Sequence, residues 1–163
     1  MVAATIAYRT QNAKMGCYQS GPTYRKEPRN SAISRCFWAF NYIYACIKDC
    51  VLIDPCCGSG GMFIQSAELV KSKQGNLNGI NIYGQEKEPA TYRLAKMNLA
   101  LRGISHNLGD EADSSFTHDL HKGLYFNYIM ANPPFNLTGW YNDNLKNDAR
   151  WADYVPPPES NAN

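Results

Sequence analysis

The sequence predicts an α/β fold in which a partial parallel sheet carries helices on its faces. Apolar runs at 50–54, 79–85 and 125–131 have the length of strands, and each closes on a polar residue. Longer stretches of helical character follow the first two runs. Strands that alternate with helices form parallel sheets through right-handed crossovers. In such sheets ligands bind at the carboxyl ends of the strands, so we expect a site there.

Composition is that of a globular protein with one domain. The 163 residues are 44% hydrophobic and 18% charged, which permits a packed core. A formal net charge of +2 is too small to indicate nucleic-acid binding by itself. No apolar run reaches the roughly 18 residues of a membrane helix, and the N-terminus shows no secretory signal. We therefore expect a cytoplasmic protein with no membrane contact, no metal site and six reduced cysteines.

The first predicted strand, Cys50–Asp54, leads into a turn of small residues. A helix then begins at Gly60 or Gly61 and stops at Gly75. Its apolar face is formed by Phe63, Ala67 and Val70. The succession of strand, tight loop and helix N-terminus is suited to hold a nucleotide-like ligand.

A second strand, 79–85, closes on Glu86, and Pro89 suits the first position of a second helix that ends at Gly103. Apolar residues recur along this helix at Ala90, Leu94, Met97 and Leu101. That spacing is typical of the apolar face of an amphipathic helix.

The remaining sequence is less regular. A short strand at 115–118 leads into Asp119, and the strand at 125–131 leads directly into Asn132. Residues 137–163 are polar and rich in proline, which predicts loops. Residues 1–30 have no assignable pattern, whereas 33–47 is aromatic and apolar over the length of a buried helix.

Four polar residues each lie just past a predicted strand. They are Asp54, Glu86, Asp119 and Asn132. Because parallel strands end at the same edge of the sheet, we expect these residues to form one site.

The small-residue loop allows a close backbone approach to a ligand through Gly58, Gly60 and Gly61. N–H groups at the start of the following helix could bind a carboxylate. The glycine spacing departs from the dinucleotide fingerprint, and the Lys-Ser/Thr of a P-loop is missing. A plain tight turn is the alternative interpretation.

The acidic residues have two interpretations each. Glu86 could accept hydrogen bonds from both ribose hydroxyls, or be a solvated acid at a helix entry. Asp119 could hold an adenine amino group, or face solvent in a turn. His118 and His121 flank Asp119 without a partner motif, so we interpret them as surface histidines rather than catalysts.

Asn132-Pro133-Pro134-Phe135 is the most informative motif. Two prolines remove two donors and fix the backbone. The Asn132 side-chain oxygen and the Pro133 carbonyl could then accept hydrogen bonds from one amino group. These bonds would localise the lone pair of an adenine amine for attack on a methyl sulfonium. Phe135 offers a face on which an extruded base can stack. The alternative is a strand-ending turn with an aromatic plug.

These motifs resemble the amino-group DNA methyltransferases that use S-adenosylmethionine, in particular the N6-adenine modification subunit of type I restriction-modification systems. The resemblance rests on Asp54–Phe63 and Asn132–Phe135, and is extended by Tyr83–Glu86, Arg93–Ala100 and Asn107–Asp110. It implies a Rossmann-like fold of the S-adenosylmethionine-dependent methyltransferases and methyl transfer to N6 of adenine in DNA. The implied partners are DNA and the specificity and restriction subunits of a type I complex.

The resemblance also implies a role for each site residue. The methionine end of the cofactor is lined by Asp54, Ser59, Gly60 and Gly61, beside Gly58 of the same loop. Glu86 takes the ribose and Asp119 lies near the cofactor adenine. The catalytic loop that holds the target adenine comprises Asn132, Pro133, Pro134 and Phe135.

Two departures from the family shape the predicted domain organisation. The Gly-x-Phe/Tyr-x-Thr-Pro element expected before the first loop has only a loose counterpart at Gly16–Pro22, so we interpret 1–48 as a divergent segment. A methyltransferase core at 49–136 and a loop-rich segment at 137–163 follow. The family has further strands beyond this point, so the domain is interpreted as truncated. The strand at 125–131 is then expected near a sheet edge, which favours self-association or partner dependence.

Two other functions remain open. A glutamine amide or an RNA base could be the methyl acceptor, since either could use an Asn-Pro-Pro-aromatic loop. A truncated chain could also be inactive and serve only in cofactor binding or assembly.

Overall fold

The computed structural model describes residues 14–17, 50–72, 77–132, 137–141, 143–148 and 150. Within these residues, five parallel strands form one sheet in the order β1-β5-β2-β3-β4. The strands are β1 (Lys14–Cys17), β2 (Cys50–Asp54), β3 (Ile80–Gly84), β4 (His106–Asn107) and β5 (Tyr128–Ala131). The predicted parallel sheet is therefore present, with β2 at the predicted residues.

In the described part of the chain, two α-helices connect strands of the sheet, as predicted. Helix α1 (Gly61–Ser72) joins β2 to β3, and helix α2 (Pro89–Leu101) joins β3 to β4. A 3₁₀ turn, Leu77–Gly79, precedes β3. The predicted stop of α1 at Gly75 lies outside the described residues.

Each face of the sheet has its own apolar cluster because successive residues of a strand point to opposite sides. Leu52 and Ile82 belong to the cluster under α1 and α2, whereas Ile53 and Tyr83 belong to the cluster on the other side. The predicted apolar face of α1 is confirmed, since Phe63, Ala67 and Val70 are all buried. The central strands are thus buried on both faces, as parallel sheets usually are.

Helix α2 is present, but the side that its periodicity marks as apolar faces solvent. Leu94, Met97 and Leu101 are 47%, 60% and 79% exposed, and Ala90 is also exposed. The buried side carries Tyr92, Ala95 and Leu99. A tyrosine faces the core here because its hydroxyl donates to the Gly109 carbonyl at 2.7 Å, which satisfies the buried polar atom.

Strand β5 lies near the edge of the sheet, as expected, but it is next to the edge strand β1 and is itself paired on both sides. It pairs with β2 on one side and with β1 on the other. The partner β1 comes from residues that sequence analysis left unassigned, because four residues that include a glycine carry no detectable strand pattern. The helix predicted at 33–47 lies outside the described residues.

One local prediction is wrong. Residues 115–117 form a turn in which the Ser114 carbonyl accepts from the N–H groups of Thr117 and His118, so no strand forms at 115–118. In the segment predicted to be rich in loops, a short 3₁₀ helix spans Asp143–Asn147. Long-range packing supplies this structure, and local composition carries no sign of it. Residues from 151 onward lie outside the described part.

The described residues contain no helix that is long and apolar enough to span a membrane. They also contain no group of three or more His, Cys, Asp or Glu side chains arranged to hold a metal ion. Cys56 and Cys57 are free thiols.

Candidate active site

The site lies where strands β2 and β5 diverge at their carboxyl ends. Their pairing runs through Leu52–Tyr128 and Ile53–Ile129, and the next two residues of β5 pair with β1. From β2 the chain continues to β3 and β4 on one side, while β5 lies on the other. Open parallel sheets bind ligands at such a switch point, at the carboxyl ends of the strands. Asp54 and Asn132 stand at these two strand ends.

The loop from Asp54 to Gly61, called the glycine loop below, is held by backbone hydrogen bonds. Cys57 N–H donates to the Gln85 carbonyl at 2.9 Å, and Gln85 N–H donates to the Asp54 carbonyl at 3.0 Å. Gly58 and Gly60 have φ of 56° and 80°, in the left-handed region that favours glycine. The loop therefore depends on glycine at these two positions, and it delivers the N-terminus of α1 to the crevice.

Asp54 is buried within this loop, with 1% of its surface exposed. Its Oδ1 accepts the Cys56 N–H at 3.0 Å. The pKa of the carboxyl group is raised to about 7, mainly because burial penalises the charged form; hydrogen bonds from Cys56 oppose the shift, and the negative charge of Glu86 adds to it. A buried carboxylate in this state gains from a cationic ligand group, which would restore its ionised form.

Glu86 joins the glycine loop to the start of α2. Its Oε2 accepts the Gly58 N–H at 2.9 Å, and its Oε1 accepts the Glu88 N–H at 2.9 Å. The carboxylate is thus fixed in orientation before any ligand arrives. Each carboxylate oxygen has a second lone pair, so Glu86 can still accept from two hydroxyl groups.

Gln85, to which sequence analysis gave no role, organises the neighbouring loop. Its side chain is fully buried. Nε2 donates to the carbonyls of Asp113 and His118, at 3.3 and 2.9 Å, and Oε1 accepts the Leu120 N–H at 3.4 Å. The residues around Asp119 are therefore tied to the same strand end that presents Glu86. The sequence feature that could have drawn attention to Gln85 is its place beside the acidic residue Glu86 at the end of a strand.

Asp119 lies in this tethered loop and is half-buried. Its Oδ1 accepts the N–H of His121 at 2.9 Å. His121 is not a surface residue, since it is 4% exposed and its Nε2 lies 2.8 Å from the Gly84 carbonyl. That carbonyl can only accept, so Nε2 carries the proton and the ring is structural. His118 is exposed, as expected, and contacts Asp113.

Asn132 follows β5 and is exposed. Its backbone amide lowers the pKa of the Cys56 thiol, against the larger effect of burial, so the end of β5 lies beside the glycine loop. Burial raises the pKa of the Cys56 and Cys57 thiols, so both stay protonated at neutral pH. Pro133, Pro134 and Phe135 lie outside the described residues.

Two further residues support the glycine loop. Asn98 reaches from α2 to donate to the Ser59 carbonyl at 3.0 Å. Gly84 allows close packing at the end of β3, since a Cβ there would lie 2.7 Å from Leu108 and 3.0 Å from Phe63. Of the predicted cofactor residues, Asp54, the loop from Gly58 to Gly61, and Glu86 are thus brought together, with Asp119 on the adjoining loop.

The sequence is similar to several curated methylase subunits. It is 47% identical over 110 residues to the type I restriction enzyme HindI methylase subunit of Haemophilus influenzae, covering 68% of this chain and 25% of that protein. It is 38% identical over 122 residues to the MjaIX methylase subunit of Methanocaldococcus jannaschii, covering 72% of this chain and 22% of that protein. The chain thus spans about a quarter of the length of these relatives.

Solved structures share the fold. The type I restriction-modification methyltransferase subunit from Streptococcus thermophilus superposes with a TM-score of 0.61 at 22% identity, over 85% of this chain and 29% of that one. A Listeria monocytogenes protein assigned to the class I S-adenosylmethionine-dependent methyltransferases gives 0.57 at 14% identity, over 85% and 42%. The predicted Rossmann-like methyltransferase fold is confirmed. The family model described as N-6 DNA methylase matches residues 40–163, and the chain belongs to that family.

Proposed function

We propose that this chain carries the cofactor site and part of the catalytic site of an adenine-specific DNA methyltransferase, acting within a type I restriction-modification system. The observation that carries the proposal is that Asp54 and Glu86 are both held at the glycine loop, while Asn132 follows the end of β5, the strand that pairs with β2. Membership of the N-6 DNA methylase family and similarity to type I methylase subunits support the same reaction.

The described residues fit S-adenosylmethionine. Buried Asp54 would accept from the ammonium group of the methionine end, and the N-terminus of α1 behind Ser59, Gly60 and Gly61 would face its carboxylate. Glu86, with both oxygens already oriented, would accept from the two ribose hydroxyls. Asp119 would hold the adenine amino group. When bound, the cofactor supplies an electrophilic methyl group on a sulfonium.

The target adenine would lie on the other side of the crevice. Asn132 and the Pro133 carbonyl would accept hydrogen bonds from its amino group, which would localise the nitrogen lone pair, and Pro134 would restrict the backbone of the loop. Phe135 would stack on the extruded base. Two acceptors and a fixed orientation promote transfer without a strong base, since positioning itself lowers the barrier.

DNA and the specificity and restriction subunits are the proposed partners, in the cytoplasm. The similar proteins from Haemophilus influenzae and Methanocaldococcus jannaschii are methylase subunits of type I restriction enzymes. With a net charge of +2, this chain neutralises few phosphates, so DNA affinity would come mainly from the rest of the complex. Self-association remains part of the proposal.

The experiment that tests the cofactor site is calorimetry with S-adenosylmethionine. Asp54→Asn should lower affinity at least about tenfold, because one charge-assisted contact contributes roughly 1.5–3 kcal/mol. The exposed Asp110 offers a matched control, and Asp110→Asn should bind like the parent. Affinity of the parent should rise as pH rises through about 7, because Asp54 must be ionised to hold an ammonium group. Equal affinities for Asp54→Asn and the parent would refute the pocket.

The acceptor is tested in the same preparation with tritiated methyl groups and the partner subunits of the system. Label should appear on adenine in DNA and be lost in Asn132→Ala. Label on RNA or on a glutamine side chain would replace the DNA assignment with the corresponding alternative. Cofactor binding without any transfer would favour an assembly role.

A further inference from the structure

Residues 137–150 follow the Asn132–Phe135 motif after one intervening residue, Asn136. Only four residues lie between Asn132 and Leu137, so these two residues are at most roughly 18 Å apart. The place of Leu137 therefore limits where the motif can lie, just as the end of β5 does. Whatever holds 137–150 also constrains the target-base loop at its exit.

A small apolar cluster, called the Trp140 cluster below, holds this segment. Phe116, Trp140 and Leu145 are buried, and Leu137 packs against them. The rings of Phe116 and Trp140 lie 5.2 Å apart. The cluster thus joins the exit of the motif to the 113–120 loop, on which Phe116 lies.

The 113–120 loop is itself fixed to the sheet. Gln85 binds Asp113, His118 and Leu120 through its buried amide, at the end of β3 and next to Glu86. One continuous set of contacts therefore runs from Gln85, the neighbour of the proposed ribose residue Glu86, to Leu137.

Arg150 closes this set of contacts with a charged group. Its Nη1 donates to the Ser115 carbonyl at 2.6 Å. Its Nε and Nη2 donate to the Asp148 carboxylate at 3.1 and 2.7 Å, and its backbone N–H donates to the same carboxylate at 2.9 Å. The Arg150 side chain is 7% exposed and that of Asp148 is 20% exposed. A forked, largely buried pair of this kind has one preferred geometry, which suits a positioning role.

We propose that Arg150 is a positioning residue for methyl transfer: it anchors the exit of the Asn132–Phe135 motif to the 113–120 loop and so sets the target-base loop relative to the cofactor pocket. The proposal rests on the proposed function. It assigns to Arg150 no contact with cofactor or DNA.

Arg150→Met and Arg150→Lys test this, with Lys146→Met as the matched control. Lys146 lies in the 3₁₀ helix of the same segment, and its ion pair with Asp143 is exposed. Arg150→Met should lower kcat for methyl transfer by on the order of tenfold to a hundredfold, because small misplacements of reacting groups are costly. The dissociation constant of S-adenosylmethionine should stay within about twofold. Arg150→Lys, which keeps one donor for Ser115, should recover part of the rate.

Amide hydrogen exchange of the cofactor-bound chain gives a second readout that needs no transfer activity. Arg150→Met should speed exchange several-fold in the peptide that spans 128–140, and leave the glycine loop at 54–61 unchanged. Lys146→Met should change neither. Unchanged exchange at 128–140, or cofactor affinity and kcat falling together, would overturn the proposal. If the parent chain binds cofactor but shows no transfer with partners present, the proposed function fails while the exchange test still decides the role of Arg150.

Discussion

The glycine loop and the Trp140 cluster are held in place by different means. The glycine loop is fixed by two left-handed glycines and by backbone bonds between neighbouring strand ends. The Trp140 cluster is fixed by side chains that meet from afar, as Ser115 and Arg150 do across 35 residues. The glycine loop is encoded by the residue types of one short stretch. The Trp140 cluster depends on which residues, distant in sequence, pack together. Three substitutions probe this difference.

Asp54→Asn should have the largest effect, and it should stabilise the fold. Burial raises the Asp54 pKa from 3.8 to about 7, so the folded chain binds more protons than the unfolded chain between these values. Stability of the parent should therefore fall as pH rises from about 4 to 7, and stay reduced above 7. Three pKa units correspond to roughly 4 kcal/mol at most.

Asparagine cannot ionise, and its amide oxygen can still accept the Cys56 N–H. The free energy of unfolding of the variant should therefore exceed that of the parent by an amount that grows as pH rises and is complete above pH 7. Urea unfolding at pH 5 to 8 measures this difference. Asp110→Asn, on an exposed aspartate, should show no such trend. A variant less stable than the parent at pH 8 would mean that the buried charge is compensated inside the loop. The glycine loop would then be built for stability as well as for a ligand.

The same difference explains what the sequence could predict. The bounds of β2 and the start of α1 follow from an apolar run, small residues and a helical pattern, and both are confirmed. The convergence of Asp54, Glu86 and Asn132 follows from parallel topology alone. The turn at 115–117 and the packing of the segment after 137 could not be predicted. They depend on the contact between Phe116 and Trp140, and no local sequence pattern identifies these two residues as packing partners. The partner of β5 escaped prediction for the same reason.

Gln85→Met should have the next largest effect, and it should act on the 113–120 loop, against which the Trp140 cluster packs. Methionine fits a similar volume, but it leaves the Asp113 and His118 carbonyls and the Leu120 N–H without the Gln85 amide. Losing such partners should cost about 1–3 kcal/mol in the free energy of unfolding. Exchange of amides in 113–120 should also speed up.

Gln65→Met, on the partly exposed side of α1, is the matched control and should cost little. If Gln85→Met speeded exchange in the glycine loop as strongly as in 113–120, the two loops would form one cooperative unit. The glycine loop would then not be held independently of the Trp140 cluster.

The smallest effect should come from the exposed side of α2, where the apolar periodicity and the burial disagree. Met97 is 60% exposed, so Met97→Gln should change the free energy of unfolding by no more than about 0.5 kcal/mol. Leu99, two residues along, is fully buried and would lie 3.5 Å from a Cβ at Gly60, so Leu99→Ala should cost about 2–5 kcal/mol. Thermal unfolding of both variants measures the contrast directly. A cost above about 1 kcal/mol for Met97→Gln would show that the apolar side of α2 is covered in solution. In that case the regular spacing of apolar residues on α2 would have predicted a buried face correctly, as it does on α1.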